Sequence, residues 1–272
     1  MYYDIVMKHG INEQTKNPVN FLDELYEAVS ILGFGIFENF LSSGEIEEAG
    51  EKIDEVYQKQ LTEHGVSNFD KIKDSNIARS LATEDYFFAH LAVCEKAVSI
   101  ISRFLGDKFI LFSQNGIINP ANQQHYQSSW HRDLNYQHWT SSKPLGISIL
   151  VAIEPFTIET GCTRMSPASH KQGEAPSDLF LEEYAVPVVM KPGDAAVFDA
   201  MIFHKAGTNT SGRKRRAINH IYTIPLMRAQ FDFTKVRDFE NPDAYTQEQR
   251  FILGSQVNQP LDPYNWRKVR LS

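Results

Sequence analysis

Apolar positions recur at helical spacing through the first third of the chain and gather into short, turn-bounded runs after Phe109. Leu22, Leu25, Val29 and Leu32 predict an amphipathic helix that Gly33 stops. Ser42 followed by Glu45 has the form of a capping box, and Ile46, Ala49, Ile53 and Val56 continue as the apolar face of a second helix. A third helix is predicted over about 84–104, with Phe88, Leu91, Val98 and Ile101 on one side. These stripes are core-packing faces. From Phe109 the runs FILF, GII, GISILVAI, VPVVM, AAVF and AINHIYTI have strand lengths and are separated by Gly, Pro, Asn and Ser. Repeated short strands point to a sandwich or barrel rather than to alternating strand–helix units. With no internal repeat or linker, residues 1–272 read as one domain, mainly β with flanking α-helices.

Charge and composition narrow the function. A net charge of −7 argues against a surface that neutralises phosphates, so nucleic acid is not an expected partner. The two cysteines, Cys94 and Cys162, lack any metal or redox spacing, which suits a reducing cytoplasm. The N-terminus has no basic stretch leading into an apolar core, so no signal peptide is expected. No apolar run approaches the roughly 20 residues of a membrane helix.

Most of the histidines stand apart from any other ligand, but His131 and Asp133 lie two residues apart in SSWHRDLNY. On an extended backbone, residues i and i+2 share a face, so imidazole and carboxylate can converge on one ion. Alone, the pair reads equally as a strand-end histidine held by a nearby acid. His204, at the end of the apolar run AAVFDAMIFH, supplies a third donor from another part of the sheet. Two histidines and one carboxylate form the facial triad of non-haem iron(II) oxygenases, whereas a structural zinc site closes its shell with four protein ligands.

Three segments in this order resemble the phytanoyl-CoA dioxygenase family of iron(II)/2-oxoglutarate oxygenases: HRDLNY at 131–136, ETGCTRMSPASHK at 159–171 and KPGDAAVFDAMIFHKAGTN at 191–209. The opening stretch GFGIFENFLSSGEIEEA at 33–49 is also similar to that family's first strand and helix. The resemblance implies a double-stranded β-helix, a jelly-roll barrel over about 109–225, with iron(II) held by His131, Asp133 and His204 at its mouth. It implies 2-oxoglutarate and dioxygen as co-substrates, with 2-oxoglutarate gripped by an arginine eleven residues past the second histidine, which is Arg215 in GRKRRAINHIY. A guanidinium offers the bidentate fork that a dicarboxylate needs. Strand alternation puts Arg215, Ala217, Asn219 and Ile221 on one face, while Arg213, Lys214 and Arg216 read as a solvated charge run. The family often has Ser or Thr two positions after the second histidine, where this chain has Ala206, and Ser129 is the candidate replacement.

The implied activity is hydroxylation of a small molecule with release of succinate and CO2. Desaturation, cyclisation and demethylation remain open, as does a binding module with a vestigial metal site. Asp133 in the carboxylate position argues against a halogenase. Around the metal turn, Tyr136 and Trp139 combine ring surface with hydrogen-bonding tips and are candidate substrate contacts, or else core residues. Arg164 either meets an anionic substrate group or pairs with a neighbouring acid.

Overall fold

The computed structural model describes residues 18–122, 125–134, 140–255 and 262–271. The first helix runs Phe21–Leu32; Asn20 caps it by accepting the Asp23 N–H, and Gly33 ends it with φ at 91°. The second, Ser43–His64, carries the full capping box, with the Ser42 and Glu45 side chains each bonded to the other's backbone N–H.

The third predicted helix is two. Tyr86–Ala92 and Glu95–Leu105 are separated at Val93 and Cys94. The carbonyls freed at the break are taken from outside the segment: the Tyr222 hydroxyl donates to Ala92 at 2.7 Å and the Gln249 amide to Val93 at 3.1 Å. Both donors lie more than a hundred residues downstream, so a local apolar stripe cannot reveal the break.

Nine strands are present among the described residues: β1 (Phe34–Phe37), β2 (Ile77–Ala78), β3 (Ile110–Asn119), β4 (Gly146–Ala152), β5 (Arg164–Met165), β6 (Val186–Pro187), β7 (Ala195–Asp199), β8 (His204–Lys205) and β9 (Arg215–Thr223). They form an antiparallel six-stranded sheet in the order β1-β7-β4-β9-β3-β2 and a three-stranded sheet in the order β6-β5-β8. FILF and GII belong to one strand, β3, because the polar residues between them face a buried interior. VPVVM contributes only β6 and a single bridge from Met190 to Phe156.

The large sheet is buried on both faces, which explains its nearly continuous apolar runs. In β4, Ile147, Ile149 and Val151 join the core beneath the helices. Leu150 and Ala152, on the opposite face, pack with Phe198, Ala217 and Met165 in a second cluster that draws on both sheets. The C-terminal part returns to the helical side, where Phe233, Tyr245, Ile252 and Leu253 complete the first core. This is an antiparallel, sheet-rich core with flanking helices, the layout of a double-stranded β-helix. No helix among the described residues is long and apolar enough to cross a membrane.

Candidate metal centre

His131 and His204 lie opposite each other and exchange two backbone hydrogen bonds, each 3.0 Å. This bridge joins the segment after the 3-10 turn Tyr126–Ser128 to the start of β8. Past His131 the chain bends instead of continuing as a strand, and the Asp133 N–H is fixed by the Ala200 carbonyl at 2.9 Å. The two-residue spacing therefore converges through a bridge and a bend. One ligand atom each from His131, Asp133 and His204 lies within 4.8 Å of the others, and His204 Nε2 is 3.4 Å from Asp133 Oδ1.

The surroundings orient each donor. His131 Nδ1 donates to the Ser129 carbonyl at 2.8 Å, and His204 Nδ1 to the Ile202 carbonyl at 3.0 Å. A carbonyl only accepts, so Nδ1 carries the proton in both rings and Nε2 presents its lone pair. Asp133 Oδ2 accepts from the Ser148 hydroxyl at 2.6 Å and from the Asn219 amide at 3.3 Å, which leaves Oδ1 turned toward the cluster. Burial and the neighbouring His204 hold His131 down to about 4. Burial opposes ionisation of Asp133, but His204, His131 and Ser148 outweigh it and hold the carboxyl at about 2. His204 is pushed the other way: burial disfavours its charge, and the Asp133 carboxylate raises it. Two nitrogens and one carboxylate oxygen, with no thiolate, suit a divalent first-row ion with open coordination positions.

Arg215 opens β9 and is 2% exposed. Its guanidinium lies 4.0 Å over the Phe156 ring, and Nε donates to the Thr160 carbonyl at 3.3 Å. Among the described residues no carboxylate reaches it, and burial lowers it to about 10. An unanswered buried guanidinium is costly unless an anion completes it. Arg216, on the opposite face, is not the solvated residue that the sequence suggests: it donates to Glu154 at 2.9 Å and to Asp54 at 2.8 Å, and also to the Gly50 carbonyl. Lys214 likewise pairs with Asp54. The walls near Arg215 meet closely: a Cβ on Gly161 would sit 2.5 Å from the Gly207 carbonyl, and Gly161 has φ at 71°.

The other candidates fare differently. Ser129 is exposed and follows a 3-10 turn; what it gives the site is the carbonyl that orients His131. Arg164 donates to Glu182 at 2.6 Å and to the Glu182 carbonyl at 2.7 Å, so a neighbouring acid already answers its charge. Trp130 and Lys205 converge on the same Glu182. Tyr136 and Trp139 lie outside the described residues.

Sequence reasoning missed Ser148 as a partner of Asp133, and it missed the cavity. The cavity measures about 250 Å³ and its lining includes Arg79, Ser113, Asn115, Gln127, Asn219 and Gln230 beside His131 and Asp133. The available signal was polar residues interrupting apolar strand runs, SILV in β4 and FSQNGI in β3.

The sequence pattern of the phytanoyl-CoA dioxygenase (PhyH) family matches residues 32–217. An uncharacterised protein of Mycobacterium tuberculosis is 32% identical over 255 residues, covering 89% of this chain and 91% of its own. The multifunctional dioxygenase prhA of Penicillium brasilianum is 27% identical over 219 residues, covering 72% of this chain and 70% of its own. Among solved structures, EctD from S. alaskensis, crystallised with 2-oxoglutarate and 5-hydroxyectoine, superposes with a TM-score of 0.62 at 18% identity, covering 75% of this chain and 76% of its own. That likeness concerns the fold.

Proposed function

This chain belongs to the phytanoyl-CoA dioxygenase family, and from that membership we propose that it is an iron(II)- and 2-oxoglutarate-dependent oxygenase that hydroxylates an unactivated C–H bond of a small molecule. The observation that carries this reading is a His-Asp-His cluster, with His204 buried, in the same chain as a buried arginine that no carboxylate meets among the described residues.

His131 Nε2, Asp133 Oδ1 and His204 Nε2 hold the iron, and the donor set fits that ion. Iron(II) bound there, together with 2-oxoglutarate and dioxygen, supplies the oxidising chemistry by which R–H, 2-oxoglutarate and O2 become R–OH, succinate and CO2. The chain's own residues do the positioning. The Ser129 and Ile202 carbonyls fix the two imidazoles, and Ser148 with Asn219 fixes the carboxylate, so the donors need little rearrangement when the ion arrives. Arg215 receives the distal carboxylate of 2-oxoglutarate, and the Phe156 ring holds its guanidinium plane. Ala217 is the next residue on that strand face, followed by Asn219, which holds Asp133.

The test is direct. Purified protein with iron(II) under air should convert 2-oxoglutarate into succinate above background, slowly alone and faster with substrate. Absence of any iron-dependent succinate would refute the reading.

A further inference from the structure

The metal cavity is lined mostly by side chains that hydrogen-bond, and their partners differ in a way that bears on the substrate. Both arginines of its lining are held by neighbouring groups. Arg79 donates from Nε to Asp74 at 2.9 Å, and Arg132 donates to the Ser169 carbonyl at 3.2 Å with its guanidinium 4.2 Å over the Phe203 ring. Two neutral groups of the lining, Ser113 Oγ and Asn219 Oδ1, are buried and have no hydrogen-bond partner among the described residues. The Asn219 amide cannot be turned to cure this, because its N–H side faces the Asp133 carboxylate, which only accepts. Asn115 sits directly across from Asn219 in the β3–β9 register, and Ser113 lies two residues along on the same face. Asn115 Oδ1 takes the Ser80 N–H at 3.2 Å, which leaves the Asn115 amide –NH2 as a donor.

Neither co-substrate can satisfy this set. Ionised 2-oxoglutarate and dioxygen carry acceptors only, so neither can donate to Asn219 Oδ1. Water can, in an empty cavity. A substrate that displaces that water must bring replacement donors or lose affinity. A hydroxyl group both donates and accepts, which matches an acceptor at Asn219, a donor at Asn115 and either role at Ser113. The volume, about 250 Å³, suits a compact molecule rather than a long chain.

Building on the proposed iron and 2-oxoglutarate chemistry, we infer that the substrate is a compact polyol or aminopolyol whose hydroxyl or amino groups are read by Ser113, Asn115 and Asn219. The experiment uses the full chain with iron(II) and 2-oxoglutarate, and measures succinate formed with two panels. One holds myo-inositol, sorbitol and glucosamine; the other holds geraniol, decanoic acid and decanoyl-CoA. At least one compound of the first panel should accelerate succinate release about tenfold or more, and none of the second should. Ser113→Val and the smaller Ser113→Ala should each raise KM for that compound by about tenfold while kcat changes much less, the loss expected for one hydrogen bond. Acceleration by the second panel, by neither panel, or an unchanged KM in both variants overturns the inference. Failure of the underlying reaction is distinguishable: iron-dependent consumption of 2-oxoglutarate would then be missing even without a panel compound.

Discussion

The Ser148 hydroxyl donates a 2.6 Å hydrogen bond to Oδ2 of Asp133, from the inward face of β4 to the middle of the metal cluster. Such a contact fixes which carboxylate oxygen faces the ion, and losing an outer contact of this kind typically weakens metal affinity about 10–100-fold. Ser148→Ala should therefore keep the fold and bind iron(II) more weakly by that factor. Anaerobic calorimetric titration checks this; an affinity equal to that of the parent protein would separate Ser148 from the metal.

Alanine at His131, Asp133 or His204 should each abolish iron binding and turnover. The apo fold should persist, because the backbone exchange between His131 and His204 does not depend on their side chains. Circular dichroism and metal analysis of the three variants provide the check, and any one that retains near-normal iron and activity removes that residue from the ligand set.

Adjacent arginines should behave as opposites. Arg215→Leu should leave stability close to that of the parent while weakening 2-oxoglutarate binding by about 2–5 kcal/mol, tens- to thousands-fold. Arg216→Leu should do the reverse, lowering stability by about 1–3 kcal/mol because Glu154 and Asp54 lose their shared partner. Titrating 2-oxoglutarate against the iron charge-transfer band, alongside urea unfolding, separates the two. Equal effects from both variants would discredit the assignment of the clamp.

His220 gives a pH dependence. It is wholly buried beneath the helices, its Nδ1 accepts from Gln114 at 3.1 Å, and burial pushes it down to about 3 from an ordinary 6.5. The unfolded chain therefore binds a proton that the folded chain refuses. Its contribution is complete above about pH 6.5 and is lost as pH falls toward 3, at up to ~1.4 kcal/mol per pH unit. Between pH 7 and pH 5 the parent protein should lose about 1–2 kcal/mol more stability than His220→Gln, measured by urea unfolding at both pH values. Parallel losses in the two proteins would exclude His220 as the source.

How much of this was legible in the sequence depends on the range of the interaction. The Ser42–Glu45 box and the Gly33 stop are local, and both form as written. The donors His131, Asp133 and His204 stood out because their chemistry is scarce and the motifs around them occur in order. The break at Val93 did not, since it is held by Tyr222 and Gln249. The role of Ser148 was hidden as well: a serine inside GISILVAI looks like a flaw in an apolar run until the fold brings Asp133 over it. Arg164 was ambiguous because its partner Glu182 belongs to another element.

Strand β9 carries two unrelated sets of demands along one backbone. Ile218 and Tyr222 point toward the helical core, and on the other side Ala217 packs in the second cluster while Asn219 and Ile221 line the cavity. Because neighbouring positions answer to different surroundings, variation can accumulate on one side without disturbing the other. A lineage can retune what the enzyme accepts at a position such as Ile221, while the residues that point the other way keep the domain folded.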